Sequence, residues 1–255
     1  MNVSGMTAFI TGGASGLGEA VARKIIRQGG CVVIVDQNEE KGKALARELG
    51  SRSLFMQTDV TSETEVQQAL ENGVDVFGGI QAVVNCAGIV TAEKVTGREG
   101  PHSLDSFQRV IQVNLIGTFN VIRLSAEVMQ KNEAVEDGER GVIINTSSVA
   151  AFEGQIGQAA YSASKGGVAG MTLPVSRELA RWGIRVMAIA PGLFETPMFD
   201  RLPEQAREAL GQMTPFPKRL GKPYEFANLV VSIIENSMLN GEVIRLDGAI
   251  RMQPK

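Results

Sequence analysis

The chain is poor in the residues that many enzymes use for acid–base and metal chemistry, because its 255 residues include one histidine, two cysteines and one tryptophan. With His102 alone, clusters of imidazole ligands and the HExxH zinc motif are excluded, and we predict no metal site. His102 lies in the polar stretch REGPHSLD, which predicts a solvated loop histidine. Cys31 and Cys86 both have apolar neighbours, so we expect reduced, buried thiols rather than a disulfide.

Other signatures are missing as well. There is no GxSxG nucleophile elbow, and GKA and GKP lack the Ser or Thr that follows the lysine of a P-loop. The net charge of −3 gives no bulk signal of nucleic-acid binding. No apolar run reaches the ~18 residues of a membrane span, and the opening MNVSGMTAFITGG does not resemble a signal peptide. We therefore expect no nucleic-acid or membrane partner, and a cytoplasmic protein, or one of the mitochondrial matrix if its source is eukaryotic.

Short apolar runs alternate with longer amphipathic segments along the whole chain. The segment 16–29 has apolar residues at helical spacing and ends in Gly29–Gly30. Most runs are continuously apolar, as expected of parallel strands that are covered on both faces. The runs span residues 6–11, 31–35, 53–58, 80–85, 141–147, 184–190 and 241–246.

This alternation predicts one α/β domain over residues 1–255, with a Rossmann-type doubly wound parallel sheet of about seven strands and helices on both faces. Two polar, glycine-containing stretches, 90–105 and 131–140, are predicted to be surface insertions. The second is expected only to connect a helix to a strand. The first follows the carboxyl end of a strand, where open α/β sheets bind ligands.

A glycine-rich loop, TGGASGLG at 11–18, follows the first predicted strand and opens the first predicted helix. Gly12, Gly16 and Gly18 would let the backbone turn sharply and bring amide groups against a pyrophosphate. A plain strand-to-helix turn is the simpler interpretation of the glycines alone. The strand before the loop and the helix after it favour nucleotide binding.

An acidic residue, Asp36, ends the second predicted strand, about 20 residues past the glycine loop, where a carboxylate can accept hydrogen bonds from a ribose. It would also repel a 2′-phosphate, and Gln37 and Asn38 follow it rather than an arginine. We therefore predict NAD rather than NADP as the cofactor. The alternative role for Asp36 is a helix N-cap, although Asn38 can supply that cap.

The stretch AAYSASKGG, residues 159–167, places Tyr161 and Lys165 one helical turn apart. An exposed aromatic–cation pair would explain the spacing, and so would a device for proton transfer. A unit charge at ~4 Å in an effective dielectric of ~20 is worth ~4 kcal/mol. Such a charge would lower the phenol pKa from ~10 towards ~7. The small neighbours leave room for a cofactor, which favours proton transfer.

The segments TGGASGLG, NCAG (85–88), NTSS (145–148), YSASK (161–165) and PG (191–192) occur in the order and spacing of the short-chain dehydrogenases/reductases. The chain resembles this family over essentially its whole length. The longer stretches GVIINTSSVAAFEGQIGQAAYSASKGGVAGMTLP, APGLFETPM and NGEVIRLDGAIRMQP resemble the type-2 3-hydroxyacyl-CoA dehydrogenases, a group also described as 17β-hydroxysteroid dehydrogenases of type 10.

The resemblance implies roles for individual residues. Tyr161 would exchange a proton with the substrate oxygen, and Lys165 would lower the pKa of Tyr161 and bind the nicotinamide ribose. Ser148 would hold the substrate oxygen; family spacing alone selects it over Ser147. Asn114 would position a water linked to Lys165, with a purely structural role as the alternative. The cofactor shell would add Ser15, Leu17, Asp59, Val60, Cys86, Ala87, Gly88, Phe194 and Thr196.

The reaction implied is NAD-dependent interconversion of (S)-3-hydroxyacyl-CoA and 3-ketoacyl-CoA, in a homotetramer. Hydroxysteroids or other secondary alcohols are alternative substrates, and a scaffold or binding role for the fold is the alternative function. A mobile lid is expected over about 193–217. It would hold an acyl tail on Phe194, Met198, Phe199, Leu202 and Phe216. CoA phosphates would meet Lys94, Arg98, Lys218 and Arg219, unless these charges form only a solvated surface.

Overall fold

The strands and helices follow the alternation of the sequence. The computed structural model describes residues 1–98, 100–197 and 204–254, apart from the side chains of residues 206 and 207. Its strands are β1 Thr7–Thr11, β2 Cys31–Asp36, β3 Ser53–Gln57, β4 Ala82–Asn85, β5 Thr96–Gly97, β6 Gly100–Pro101, β7 Gly141–Thr146, β8 Ile184–Pro191 and β9 Val243–Leu246. Its α-helices are α1 Gly16–Arg27, α2 Glu39–Leu49, α3 Glu63–Phe77, α4 Leu104–Ile111, α5 Thr118–Met129, α6 Ala159–Leu179, α7 Glu204–Gln212 and α8 Pro223–Glu235. None of the described helices combines the length and apolarity needed to cross a bilayer.

A seven-stranded sheet forms the centre of the molecule, in the order β3-β2-β1-β4-β7-β8-β9. Every neighbouring pair in it is parallel. The predicted Rossmann-type sheet is therefore confirmed, and each of the seven predicted runs supplies one strand. Strand order reverses between β1 and β4, and this switch point opens a crevice at the carboxyl ends of the strands.

The continuous apolar runs are explained by burial on both faces of the sheet. Along β1, Ile10 faces a cluster that includes Ile25 of α1 and Phe226 of α8. The adjacent Phe9 faces the other side, in a cluster with Leu70 of α3 and Val121 of α5. Each such side chain contributes roughly 1.5–3 kcal/mol by leaving water, so a polar residue on either face would be costly.

Segment 90–105 is more structured than a plain surface insertion. It contains the antiparallel pair β5–β6, with Thr96 opposite Pro101. The backbone amide of Glu93 donates to the Gly157 carbonyl oxygen at 2.9 Å. The segment is thus attached to the loop that precedes α6.

The second predicted insertion, 131–140, connects α5 to β7 as expected, but one of its acidic residues is not at the surface. Glu139 is buried, and its Oε1 accepts from Nε of the buried Arg185 at 2.7 Å. The remaining guanidinium donors bind the carbonyl oxygens of Ile233, Ile234 and Leu239, at and beyond the end of α8. A polar loop therefore joins β8 and α8 through a buried ion pair.

We expect Arg185→Met to lower the free energy of unfolding by about 3–5 kcal/mol, because it leaves three carbonyl groups without their donor and the buried Glu139 carboxylate with only the Met1 ammonium, 3.0 Å from its Oε2. Chemical denaturation measures this. Arg23→Met is the matched control, since Arg23 pairs with Glu19 and Glu48 in partly exposed positions, where a loss below about 1 kcal/mol is expected. Equal losses in the two variants would contradict the role given to Arg185.

Candidate active site

A cavity of about 680 Å³ lies at the carboxyl ends of the central strands. The loops after β1, β2, β4, β7 and β8 supply most of its lining. The predicted site residues that line it are Gly12, Ser15, Gly16, Leu17, Gly18, Asp36, Val60, Cys86, Ala87, Gly88, Ser148, Tyr161, Lys165, Phe194 and Thr196. Asp59 and Asn114 are the predicted site residues that do not line it.

The glycine loop is as tight as the sequence predicts. Gly12 and Gly16 have φ values of +61° and +55°, in the left-handed region that favours glycine. A Cβ at Gly12 would lie 2.8 Å from the Ala87 nitrogen, and one at Gly18 would lie 2.3 Å from the Gly12 oxygen. Ser15 precedes α1 without a side-chain cap hydrogen bond, so no cap oxygen offsets the positive end of the helix. This glycine cradle fits a pyrophosphate.

Asp36 ties the glycine loop to the end of β2. Its Oδ2 accepts from the Ala14 amide at 3.1 Å, and its Oδ1 accepts from the Asn38 amide at 3.0 Å. Asn38, not Asp36, caps α2, by accepting from the Lys41 amide. Among the described lining residues Asp36 is the one carboxylate, and its oxygens keep lone pairs for ribose hydroxyls.

Three successive residues at the end of β7 have three different tasks. Thr146 accepts from Lys165 Nζ through its carbonyl oxygen at 2.7 Å. Ser147 Oγ donates to the Lys165 carbonyl oxygen at 2.9 Å. Ser148 Oγ accepts from the Ala150 amide at 3.1 Å and is near enough to the Tyr161 side chain to lower its pKa. Geometry thus separates the two serines, because Ser147 is committed to the backbone and Ser148 lies beside the phenol.

The pKa values of Tyr161 and Lys165 differ from the expectation. Burial raises the pKa of Tyr161, and the Ser148 side chain opposes this shift without reversing it. Lys165 Nζ lies over the tyrosine ring, 5.8 Å from its centroid, and is bound to Thr146. Burial also lowers the pKa of Lys165, to about 8. The expectation that Lys165 brings the phenol pKa towards neutrality is therefore wrong for the protein alone, since loss of water dominates.

Asn114 lies behind the cavity wall, in the π-helical turn Gln112–Gly117 between α4 and α5. Its carboxamide bonds both the amide and the carbonyl group of Ile89, at 2.8 Å each, and donates to Ser164 Oγ at 3.1 Å. The side chain is fully buried and holds the backbone of Ile89, while its predicted role toward a water linked to Lys165 stays a prediction. A Cβ at Gly88 would lie 3.3 Å from Asn114 Oδ1 and 3.5 Å from Lys165 Nζ, so Gly88 separates the two polar groups.

Asp59 is used within its own loop. Its Oδ1 accepts from both the amide and the hydroxyl of Thr61 at 2.8 Å. This carboxylate is therefore committed to the turn before α3, and the neighbours Thr58 and Val60 line the cavity instead.

The predicted acyl and phosphate contacts are only partly brought together. Phe194 is buried at the cavity wall, whereas Phe216 is 82% exposed and outside the lining. Met198, Phe199 and Leu202 lie outside the described residues. Lys94, Arg98, Lys218 and Arg219 do not line the cavity, and the Arg219 guanidinium is bound by both oxygens of Glu225 at 2.8 Å.

The lining side chains that sequence reasoning missed include Arg109, Gln155, Gln158 and Met252. Gln155 and Gln158 lie between Ser148 and Tyr161 in the sequence, and this position could have identified them as lining residues. Nothing local marks Arg109 or Met252, because their place in the wall depends on how distant segments pack.

His102 and the cysteines also differ from expectation. The His102 side chain is only 11% exposed, its Nδ1 lies 2.8 Å from the Ser103 carbonyl oxygen, and its ring meets Phe107 edge-on. It is therefore not a solvated histidine. Cys31 and Cys86 are free thiols, as predicted, but each is only partly buried. Loss of water around the Cys86 thiol raises its pKa to about 11, so this thiol is a weak nucleophile.

A parallel sheet with a glycine cradle, an acidic residue after β2 and a serine–tyrosine–lysine set in one cavity defines a nicotinamide-dependent dehydrogenase. Residues 6–207 match the profile of the family described as short chain dehydrogenase, and the chain belongs to that family. The predicted family resemblance is confirmed.

The similar proteins match along their full lengths. The 3-hydroxyacyl-CoA dehydrogenase type-2 of Bos taurus is 58% identical over 255 residues, which cover 99% of this chain and 98% of that protein. The protein of the same name from Drosophila melanogaster is 54% identical, covering 99% of this chain and all of that protein. The crystal structure of 3-hydroxyacyl-CoA dehydrogenase type-2 from Mycobacterium avium has a TM-score of 0.95 at 45% identity, and 98% of each chain is covered.

We expect Ser148→Ala to lower kcat roughly 10²–10³-fold while binding of the nicotinamide cofactor is unchanged, because Ser148 is the group predicted to hold the reacting oxygen. Stopped-flow turnover and cofactor titration measure the two effects. Ser147→Ala is the matched control. It should cost about 1 kcal/mol of stability through its lost buried hydrogen bond, with a much smaller effect on kcat. The reverse order of kcat losses would assign the role to Ser147.

Proposed function

We propose that the protein interconverts (S)-3-hydroxyacyl-CoA and 3-ketoacyl-CoA with NAD as the hydride carrier. One observation carries the proposal: Ser148, Tyr161 and Lys165 line the same cavity as the glycine cradle and Asp36. The name shared by its full-length relatives supplies the substrate class.

The residues present fit a dinucleotide. The glycine cradle and the start of α1 would hold the pyrophosphate, and Asp36 would bind the adenosine ribose. The lining residues from β1, β2 and the loops after them include no lysine or arginine, which favours NAD over a 2′-phosphorylated cofactor. When bound, the nicotinamide accepts hydride from the alcohol carbon or returns it to the ketone.

The chain's own residues manage the proton. Because burial raises the pKa of Tyr161, its phenol is neutral near pH 7 and is ready to protonate a substrate ketone. Ser148 would hold that oxygen beside the phenol. In the oxidative direction Tyr161 must first lose its proton, and the nearby Lys165 ammonium would stabilise the resulting phenolate. Its pKa of about 8 leaves Lys165 mostly charged at pH 7.

The rest of the cavity would take the acyl chain and part of the CoA. Phe194, Val149 and Met252 give it apolar wall, and the segment 193–217 is proposed as its lid. Arg109 is the one lining cation besides Lys165 among the described residues. It replaces the four predicted basic residues as the candidate contact for a CoA phosphate.

A substrate panel tests the proposal. We expect NAD-dependent reduction of acetoacetyl-CoA to exceed turnover of hydroxysteroids and other secondary alcohols, and NADP to be a poor substitute for NAD. Absorbance of the reduced cofactor measures each rate. Tyr161→Phe should abolish turnover while NAD still binds. Comparable rates with NAD and NADP would contradict the cofactor assignment.

The same panel separates the alternatives. A preference for a steroid would favour the second substrate class. Loss of turnover in Tyr161→Phe with the physiological role intact would favour a scaffold function. For the compartment we keep the sequence-based prediction, the cytoplasm or the mitochondrial matrix. The two free thiols are consistent with a reducing environment.

We also propose a homotetramer that pairs through the helices on either side of the site. Apolar side chains on this face are unusually exposed, with Ile116 at 46%, Phe119 at 48% and Leu173 at 44%. Large apolar side chains exposed in this way are common at protein interfaces.

Light scattering should give a mass near four times that of the chain. Phe119→Asp should dissociate the assembly, because a charge would be buried in the interface. The matched control is Val76→Asp on α3, also at an exposed apolar position, which should leave the mass unchanged. A monomeric unmodified protein would contradict the proposal.

A further inference from the structure

The loop between Ser148 and Tyr161 is held by a segment from the far end of the chain. This segment, residues 250–254, is called the closing segment here. The Ile156 amide donates to the Pro254 carbonyl oxygen at 2.9 Å, and Gln155 Nε2 donates to the Gln253 carbonyl oxygen at 3.1 Å. The closing segment therefore pairs with the stretch that joins two proposed catalytic residues.

Glu153 is the centre of this attachment. Its carboxylate accepts from both Arg245 nitrogens, at 2.8 and 3.2 Å, and from the Met252 amide at 3.1 Å. Arg251 Nε lies 3.2 Å from the same carboxylate. Glu153 is about one-fifth exposed, so these charge-assisted bonds are stronger than surface pairs.

The closing segment also packs against the loop that follows β8. Ile250 is fully buried, and its Cγ2 would lie 3.3 Å from a Cβ placed at Gly192, just after β8. Its carbonyl oxygen accepts from Arg245 at 3.1 Å. One end of the segment is thus anchored under the β8 loop and the other on the loop before α6.

Between these anchors Met252 reaches the cavity, where it lines the wall together with Gln155 and Gln158. We propose that Met252, fixed by the Glu153 latch, determines which acyl groups the pocket accepts. The inference rests on the proposed function, because it assigns the specificity of that same site. Met252 is a specificity-determining residue and Glu153 is a positioning residue, since neither is bonded to the reacting groups.

The chemistry of the two residues explains the expected effects. A methionine fills an irregular apolar wall without a polar demand, so its volume limits the bulk of the chain beside it. Removing it enlarges the pocket. Removing the charge of Glu153 weakens the bonds that hold the segment against the loop and lets the wall move.

The test compares kcat/KM for 3-ketoacyl-CoA substrates of short, long and branched acyl chains in the intact protein. Met252→Ala should raise the ratio of branched or long to short substrates by roughly 10-fold, the discrimination typical of a few methylene groups in an apolar pocket. Met252→Phe should move the ratio the other way. The change should lie in KM, and NAD binding should be retained.

Met238→Ala is the matched control, because Met238 is 90% exposed and should not move the ratio. Glu153→Gln should flatten the chain-length profile and speed hydrogen exchange of the Ile156 amide, whereas Glu235→Gln, on the exposed face of α8, should do neither. A Met252→Ala variant that changes every substrate by one factor overturns the inference. If the unmodified protein binds NAD but reduces no 3-ketoacyl-CoA, the proposed function itself fails, and this assignment of acyl specificity fails with it.

Discussion

The site depends on one buried residue, Lys165. Its side chain and its backbone are both hydrogen-bonded to residues at the carboxyl end of β7. Its Nζ donates to the carbonyl of Thr146, and its own carbonyl accepts from Ser147 Oγ. These two bonds set the position of α6 relative to β7. Ser148 directly follows Ser147, just after the end of β7. The arrangement that gives Lys165 its two hydrogen bonds therefore also places Ser148 beside Tyr161. A shift of one residue in β7 would break both bonds and turn Ser148 away.

Lys165 is buried, and no carboxylate among the described residues is bonded to it. This environment changes the pKa values of the site. Loss of water lowers the pKa of the lysine and raises that of the tyrosine. The pKa values of the two groups, which are close together in water, are thereby moved apart, with that of Lys165 below that of Tyr161. The arrangement keeps a proton on the phenol and a charge on the amine near neutral pH. A developing negative charge on the phenolic oxygen would then be stabilised within a site of low dielectric.

Most of the fold was predictable because each strand is covered on both faces, which forces continuous apolar runs such as CVVIV at β2. The glycine loop, Asp36, Tyr161 and Lys165 were predictable because local spacing decides their geometry. The pairing of Glu139 with Arg185 was not predictable. A charged residue in a polar segment has the same sequence pattern whether it binds a residue of a distant strand or is solvated by water. The bond between Asp59 Oδ1 and the Thr61 hydroxyl was not predicted either, and the cofactor role of Asp59 stays a prediction. The predicted pKa of Tyr161 failed because spacing along a helix gives the distance between charges but not their loss of water.

The loop between Ser148 and Tyr161 shows why chemistry and specificity are coupled in this architecture. The backbone carbonyl of Gln158, at the end of this loop, accepts a hydrogen bond from the Ser162 amide in the first turn of α6. The loop therefore fixes where the helix that carries Tyr161 begins. The same loop carries Glu153, which binds residues from β9 and the segment after it. The two residues proposed to hold the substrate oxygen and to transfer the proton are therefore joined through the chain to the far wall of the cavity. The side chain of Met252 can differ without moving the phenol, because residues 252, 253 and 254 are held to the loop through their backbone groups.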